Sequence, residues 1–379
     1  MADGLAVMER ERLVRQRRVL DSAQGARVSI DGRMLLNFSG NDYLGLATHP
    51  ALRQAAHRAI DAYGAGAGAS PLVSGHSRAH DEAERRFAAF VGQPRALLFG
   101  SGYAANLGIL AALCDREAEI FGDRLDHACL IDGALLSRAT FTRYPHCDAQ
   151  ALDERLASSR AAIKVVATDA VFSMDGDLAP LAALLASCER HDAWLVVDDA
   201  HGIGVLGEGR GTLCDLGLAS DRIVYMATLG KALGGYGAFA CGGPVVIEWL
   251  LQRARTYMFS TALPPACGAV ASAAIDVLES TASPVPLLHE RIAQFRAACA
   301  ASGIPLGESR SAIQPVVVGE AAEALAISQQ MLERGVLVPA IRPPTVPANT
   351  SRLRISLSAA HSAGDIEQLV AALAPSLAR

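Results

Sequence analysis

Two neighbouring stretches, AWLVVDDAHG at 193–202 and RIVYMATLGKALGG at 222–235, share one construction: a short apolar run that ends abruptly in polar residues and glycine. Runs of that length bounded by turn residues read as buried strands. The segment joining them is too long for a tight hairpin and long enough for a crossover. Outward from this pair the rhythm repeats. AEIFG (118–122), ATFTRY (139–144), IKVVATDAVF (163–172) and GAFACG (237–242) alternate with helical stretches at 103–113, 126–136, 149–158 and 179–190. Strands alternating with helices predict an α/β fold: a mostly parallel central sheet covered on both faces, with its chemistry on the loops beyond the strand ends.

The flanks read differently. Residues 5–20 form an arginine-rich helical pattern, followed by the extended runs RVSI (27–30) and MLLNF (34–38), and together they make an N-terminal arm over 1–49. The large domain is expected over 50–279. It opens with helices at 51–63 and about 77–92 and the strand RALLF (95–99). Residues 280–379 read as a small α+β lobe, joined by the arm, with strands in AIQPVVVG (312–319), LVPAIRPPT (337–345) and RLRISLS (352–358) and a last helix. No internal repeat is evident.

Composition narrows the function. The 379 residues are 51% hydrophobic and 19% charged, enough for a large core, and the net charge of −5 offers no basic face for nucleic acid. Eight scattered cysteines without CxxC or zinc-finger spacing predict a reduced, cytoplasmic setting and no metal site. No run of about 18 apolar residues suggests a membrane span, and the charged start is the wrong order for a secretory signal.

Of 34 basic residues only two are lysines, Lys164 and Lys231. Lys164 opens a strand and reads as a solvated charge. Lys231 follows a strand among small residues that admit a ligand, and lysine alone supplies a primary amine for imine chemistry. The glycine patterns are weaker signals. GIGVLG (202–207) matches GxGxxG after a strand but is followed by GEGRGTLCDLG, which is no helix, and GAGAGASP (64–71) follows a helix. In VVDDAHG, strand alternation sends Asp198 and Asp199 to opposite faces, so one acid can face a pocket. That acid suits a metal held with His127 or His201, or a pyridinium nitrogen. His127 alone reads as a helix N-terminal histidine.

Taken together, NFSGNDYLGL (37–46), SGYAAN (101–106), DRLDHACL (123–130), VFSMDGDLAPL (171–181), VVDDAHGIGVLGEGRG (196–211), TLGKALGG (228–235), FSTALPP (259–265) and IRPPTVPANTSRLRISL (341–357) resemble the α-oxoamine synthases, pyridoxal 5'-phosphate (PLP) enzymes of fold type I. The likeness spans nearly the whole chain. It implies a cytoplasmic homodimer with shared active sites. AIRPPTVP is most similar to the branch that joins L-alanine to a pimeloyl thioester, on coenzyme A or an acyl carrier protein, in biotin synthesis. By this resemblance Lys231 carries PLP as a Schiff base and moves protons, Asp198 meets the pyridine nitrogen, and His127 stacks on the ring. His201 and Ser173 take the phenolic oxygen. Gly102, Tyr103 and Thr228 hold the phosphate, with Ser260 and Thr261 reaching it from the other subunit. Arg354 anchors the amino acid's carboxylate, Asn41 and Thr345 line the substrate site, and Arg17 meets the acyl chain. Arg352, two residues from Arg354, reads as an exposed ion-pairing charge. One departure stands out: where the family often reads GSGGSR or GSGGSG before LVSG, this chain has GAGAGASP, and Pro71 offers neither a guanidinium nor an amide N–H. Ser70 and Ser74 remain to line that entrance. The rival readings are glycine acyltransfer or transamination on the same fold, and a nucleotide-binding protein built on GIGVLG.

Overall fold

The computed structural model describes residues 1–10, 14 and 17–377. Its strands, in chain order, are β1 (Arg27–Ile30), β2 (Arg33–Asn37), β3 (Arg95–Phe99), β4 (Ala118–Asp123), β5 (Thr140–Tyr144), β6 (Ile163–Asp169), β7 (Trp194–Asp198), β8 (Ile223–Thr228), β9 (Ala238–Gly242), β10 (Ile313–Gly319), β11 (Val336–Leu337), β12 (Ala340–Ile341) and β13 (Ser351–Ser356). Seven of them make the central sheet, in the order β3-β9-β8-β7-β6-β4-β5. Only β9 runs antiparallel to its neighbours there; the β8-β7-β6-β4-β5 ladders are parallel.

The sheet is buried on both faces, and residue parity shows it. Leu195, Val197, Tyr225 and Phe239 enter one apolar cluster, where Phe239 stacks on Phe87 at 4.1 Å between ring centroids. Val196, Val224, Met226 and Ala240 enter another, with Ile109 and Leu130 from the helices on that side. This two-sided burial explains why the strands read as near-continuous apolar runs. There are two small three-stranded sheets: β1-β2-β11 joins the chain's two ends, and β10-β13-β12 lies wholly in the C-terminal part. Beyond β2 the arm lies against the end of β13: Ser356 N donates to Phe38 O at 2.9 Å and Ala359 N to Tyr43 O at 2.8 Å.

Three expectations change. The N-terminal helix spans Ala2–Arg10, not 5–20, and buries no residue; Arg17 to Leu20 are not helical, and 11–13, 15 and 16 lie outside the described residues. A helix without a packed face has little beyond local propensity to extend it. LVPAIRPPT is not one strand, because Pro339 interrupts it between β11 and β12. Lys164 is half-buried, and its ammonium donates to His191 O at 2.8 Å, beyond the helix Leu181–Arg190. A cation there satisfies a carbonyl left over at the helix end.

His361 ties the arm to the C-terminal segment. Its ring stacks on Phe38 at 4.1 Å, Nε2 donates to Asn37 O at 3.0 Å, and Nδ1 accepts from Ser358 N at 3.0 Å. Both nitrogens are satisfied only in the neutral ring. Burial pushes its pKa down to about 4, against the pull of the Asn37 carbonyl and Asp365. A histidine depressed from about 6.5 stabilises the fold above that pH and loses the contribution as pH falls toward 4, about 3 kcal/mol in all. The melting-temperature gap between wild type and His361→Asn, which accepts from Ser358 without titrating, should therefore shrink between about pH 7 and 4. A gap independent of pH would refute this account.

Candidate active site

The C-terminal ends of β7 and β8 converge on one cluster. Asp198, the last residue of β7, is 4% exposed; its Oδ2 accepts from Asn106 Nδ2 at 2.7 Å and its Oδ1 from Ala200 N at 2.9 Å. Asp199 faces the other way. It takes Thr212 N and Tyr225 OH at 2.7 Å each and Thr212 Oγ1 at 2.5 Å, and burial raises its pKa to about 6 despite those donors. Alternation thus separates a carboxylate for the site from a carboxylate for the scaffold.

Lys231 lies just beyond β8, and its Nζ is 2.7 Å from His201 Nε2. Burial lowers the lysine's pKa, opposed by Asp198 and Asp169. His201, buried, is pushed well below the ordinary histidine value by burial and then by the charges of Lys231 and Arg354. Its Nδ1 lies 2.8 Å from Tyr43 OH, which in turn is 3.0 Å from Asn41 Oδ1 and 3.4 Å from Arg354 Nη2. Arg354 is itself held by Ser173 O at 2.6 Å and Ser356 Oγ at 2.9 Å. A continuous run of polar contacts thus joins Lys231 to Arg354.

His127 caps the helix Ala128–Ser137. Its backbone N donates to Asp169 Oδ2 at 2.7 Å, and its Nδ1 lies 2.8 Å from Cys129 Sγ. Burial lowers its pKa while Asp198 raises it. Gly102 and Tyr103 begin the helix Gly102–Leu113, and a Cβ built on Gly102 would sit 3.8 Å from the Thr228 Cβ, so that helix end and the Thr228 hydroxyl adjoin. The Tyr103 ring points outward and its hydroxyl bonds Asp132.

Other expected residues lie apart from this cluster. Arg17 and Thr345 line a cleft of about 880 Å³ together with Arg33 and Arg342. Ser260 and Thr261 are exposed and border a small cleft with Pro71, His80 and Gly100. Arg352 is not the exposed edge charge expected. β13 is the middle strand of its sheet, so Arg352 is 6% exposed and pairs with Asp175 on the loop that carries Ser173. The metal pairing of Asp198 or Asp199 with a histidine does not form. Among the described residues Asp123, His146 and Cys147 do gather within 4.8 Å, but both ring nitrogens of His146 already face carboxylates, Asp123 at 2.9 Å and Asp177 at 2.7 Å. Tyr43, Asn106 and Cys129 were not singled out from the sequence. Each sits inside a quoted motif, and only the fold shows that it touches Arg354, Asp198 or His127.

PLP suits this cluster. Lys231 offers an amine, Asp198 a buried carboxylate for a pyridine nitrogen, and the helix end at Gly102 with Thr228 a set of donors for phosphate. Among the described residues no helix is long and apolar enough to cross a membrane.

Comparison with known proteins agrees. Residues 33–373 match the aminotransferase class I and II family. The 8-amino-7-oxononanoate synthase of Methylobacillus flagellatus is 54% identical over 97% of this chain and 93% of its own length. A high-resolution structure of SPT with PLP superposes with a TM-score of 0.94 at 29% identity, covering 99% of this chain and 96% of that one. The 8-amino-7-oxononanoate synthase of Francisella tularensis superposes with a TM-score of 0.78 at 30% identity, over 90% and 97% respectively. The chain therefore belongs to the aminotransferase class I and II family, in its 8-amino-7-oxononanoate synthase branch, and is a PLP-dependent enzyme.

Proposed function

We propose that this enzyme condenses L-alanine with a pimeloyl thioester, releasing carbon dioxide and the free thiol and forming 8-amino-7-oxononanoate for biotin synthesis in the cytoplasm. The observation that supports the reading is the run of contacts from Lys231 through His201 and Tyr43 to Arg354, which joins a primary amine to a guanidinium. Lys231 would hold PLP covalently and Asp198 would face its pyridine nitrogen. His127 would cover the ring, and His201 with Ser173 would take its phenolic oxygen. The amides of Gly102 and Tyr103 and the hydroxyl of Thr228 would bind its phosphate. PLP supplies a conjugated pyridinium into which the electron pair left at the amino acid's α-carbon delocalises. The rest falls to the chain. Arg354 presents a planar fork to the alanine carboxylate, with Asn41 beside it, and so fixes which α-bond faces the ring. Lys231, once its amine is free, takes the proton from the α-carbon and later returns one. Arg17 and Thr345, in the arginine-lined cleft, would receive the acyl chain.

The direct test is product formation from L-alanine with pimeloyl-coenzyme A or pimeloyl-acyl carrier protein, with glycine as the rival substrate. Equal turnover of glycine, or amino transfer without loss of carbon dioxide, would exclude this assignment.

Ser260 and Thr261 would complete the phosphate site of a partner subunit in a homodimer. Lys231→Ala should leave no borohydride-trappable PLP on the chain. Mixing it with subunits altered at both Ser260 and Thr261 should restore some activity, since one of the two sites escapes both lesions. No recovery despite verified subunit exchange would argue against sharing.

Arg354→Ala should weaken alanine binding, followed by the cofactor's visible band, at least about thirtyfold, from the roughly 2–5 kcal/mol such contacts carry. Arg352→Ala should instead lower the melting temperature, because it leaves the part-buried Asp175 without its partner, with alanine affinity changed less than about threefold. If both variants titrate alike with alanine, Arg354 is not the anchor.

A further inference from the structure

Ser260 and Thr261 stand on a short exposed stretch that is tied down at both ends. Upstream, Thr256 Oγ1 donates to Ala104 O at 2.6 Å, on the helix Gly102–Leu113. Downstream, His80 Nε2 donates to Leu263 O at 2.8 Å and Ala262 N donates to Ala69 O at 2.9 Å. The downstream tie is close-packed. A Cβ on Gly75 would sit 2.8 Å from the Ala262 Cβ, and one on Gly268 would sit 2.5 Å from Ala79 O. The segment Ala69–Gly75, which contains Pro71, and the stretch before Leu263 are therefore one packed unit, and His80 fastens it.

The partners of His80 fix the polarity of its two contacts. The residue opens the helix Arg78–Phe90 and is 3% exposed. The Ser77 N–H, which only donates, meets Nδ1 at 2.9 Å, and the Leu263 carbonyl, which only accepts, meets Nε2. The ring is neutral with its proton on Nε2, and burial favours that neutral form. We propose that His80 is a positioning residue for the neighbouring active site: by holding Leu263 O it sets Ser260 and Thr261 where they meet the cofactor phosphate bound by the partner subunit. This rests on the reading of those two residues as contacts made across a homodimer. Asparagine at this position can reproduce the Nδ1 contact with Ser77 but falls short of Leu263, whereas glutamine can carry a donor as far as Nε2.

Tagged heterodimers separate a defect in a subunit's own site from one in its neighbour's. In the first arrangement one subunit carries Lys231→Ala and the other His80→Asn, so borohydride-trappable PLP sits in the His80→Asn subunit and is completed by an unaltered stretch. In the second, one subunit carries both substitutions, and trappable PLP sits in the unaltered subunit, completed by the altered stretch. Loss of trappable PLP on dialysis should match wild type in the first and be at least about tenfold faster in the second, as expected for loosening a hydrogen bond to a charged group. His80→Gln should stay within about threefold of wild type in both. A defect in the first arrangement, none in the second, or equal defects from asparagine and glutamine would overturn the proposal. Ser260 and Thr261 altered together in the same arrangements test the underlying reading. If they act only within their own subunit, sharing fails and the role of His80 with it; if they act across the dimer and His80→Asn does not, His80 alone is excluded. Melting curves identify a variant that does not fold. Should His80→Asn be one, the ¹⁵N spectrum of the wild-type ring, assigned by its loss in His80→Gln, decides: a proton on Nε2 supports the proposal, and one on Nδ1 would leave Leu263 O without its donor and overturn it.

Discussion

Two adjacent buried carboxylates at the end of one strand organise this molecule. An extended chain sends successive side chains to opposite faces, so Asp198, which ends β7, and Asp199, which follows it, do not share an environment. Asp199 spends its oxygens on Thr212 and Tyr225 and fixes the loop that follows β7. Asp198 lies beside Asn106, on the face where His127 and Lys231 approach. A one-residue shift of β7 would exchange the two and lose both the site and the loop. Its pairing with β6 and β8 in the middle of the sheet holds that register.

The fold was legible because burial on both faces leaves a strong trace, apolar runs cut off by glycine and acid. The centre of the site was legible for a related reason. A lysine in a chain with only one other, and acids at a strand end, are visible without coordinates. What escaped were facts about neighbours. Nothing local distinguishes Arg352 from an edge-strand charge until β12 and β10 are seen on either side of it. Nothing in NDYLGL tells that the tyrosine hydroxyl meets His201, far along the chain. The arginine-rich start read as a long helix because periodicity reports amphipathicity, whereas helix length depends on finding something to pack against.

The site is also divided by origin. Lys231, Asp198, His127 and His201 come from the strand ends and loops of the central sheet, whereas Asn41 and Tyr43 come from the arm and Arg354 from β13. The contacts between those groups therefore register the docking of the small sheets on the large one. One apolar cluster spans the same three origins, with Phe38 and Leu44 of the arm, Val197 and Tyr225 of the central sheet and Leu353 and Ile355 of β13, so apolar and polar contacts carry the junction together.

The arm's dependence on β13 has a consequence for synthesis. Asn41 and Arg354 are separated by 313 residues, yet they share a hydrogen bond. At ~5–20 residues per second a ribosome needs roughly 15 to 60 seconds to travel from one to the other. During that interval the nascent arm can form its own hairpin and meet the large domain, as Tyr43 meets His201, but the strand end it belongs against does not exist. A part of the chain made late thus closes against a part made early, and a product truncated before β13 carries Lys231 and Asp198 without Arg354.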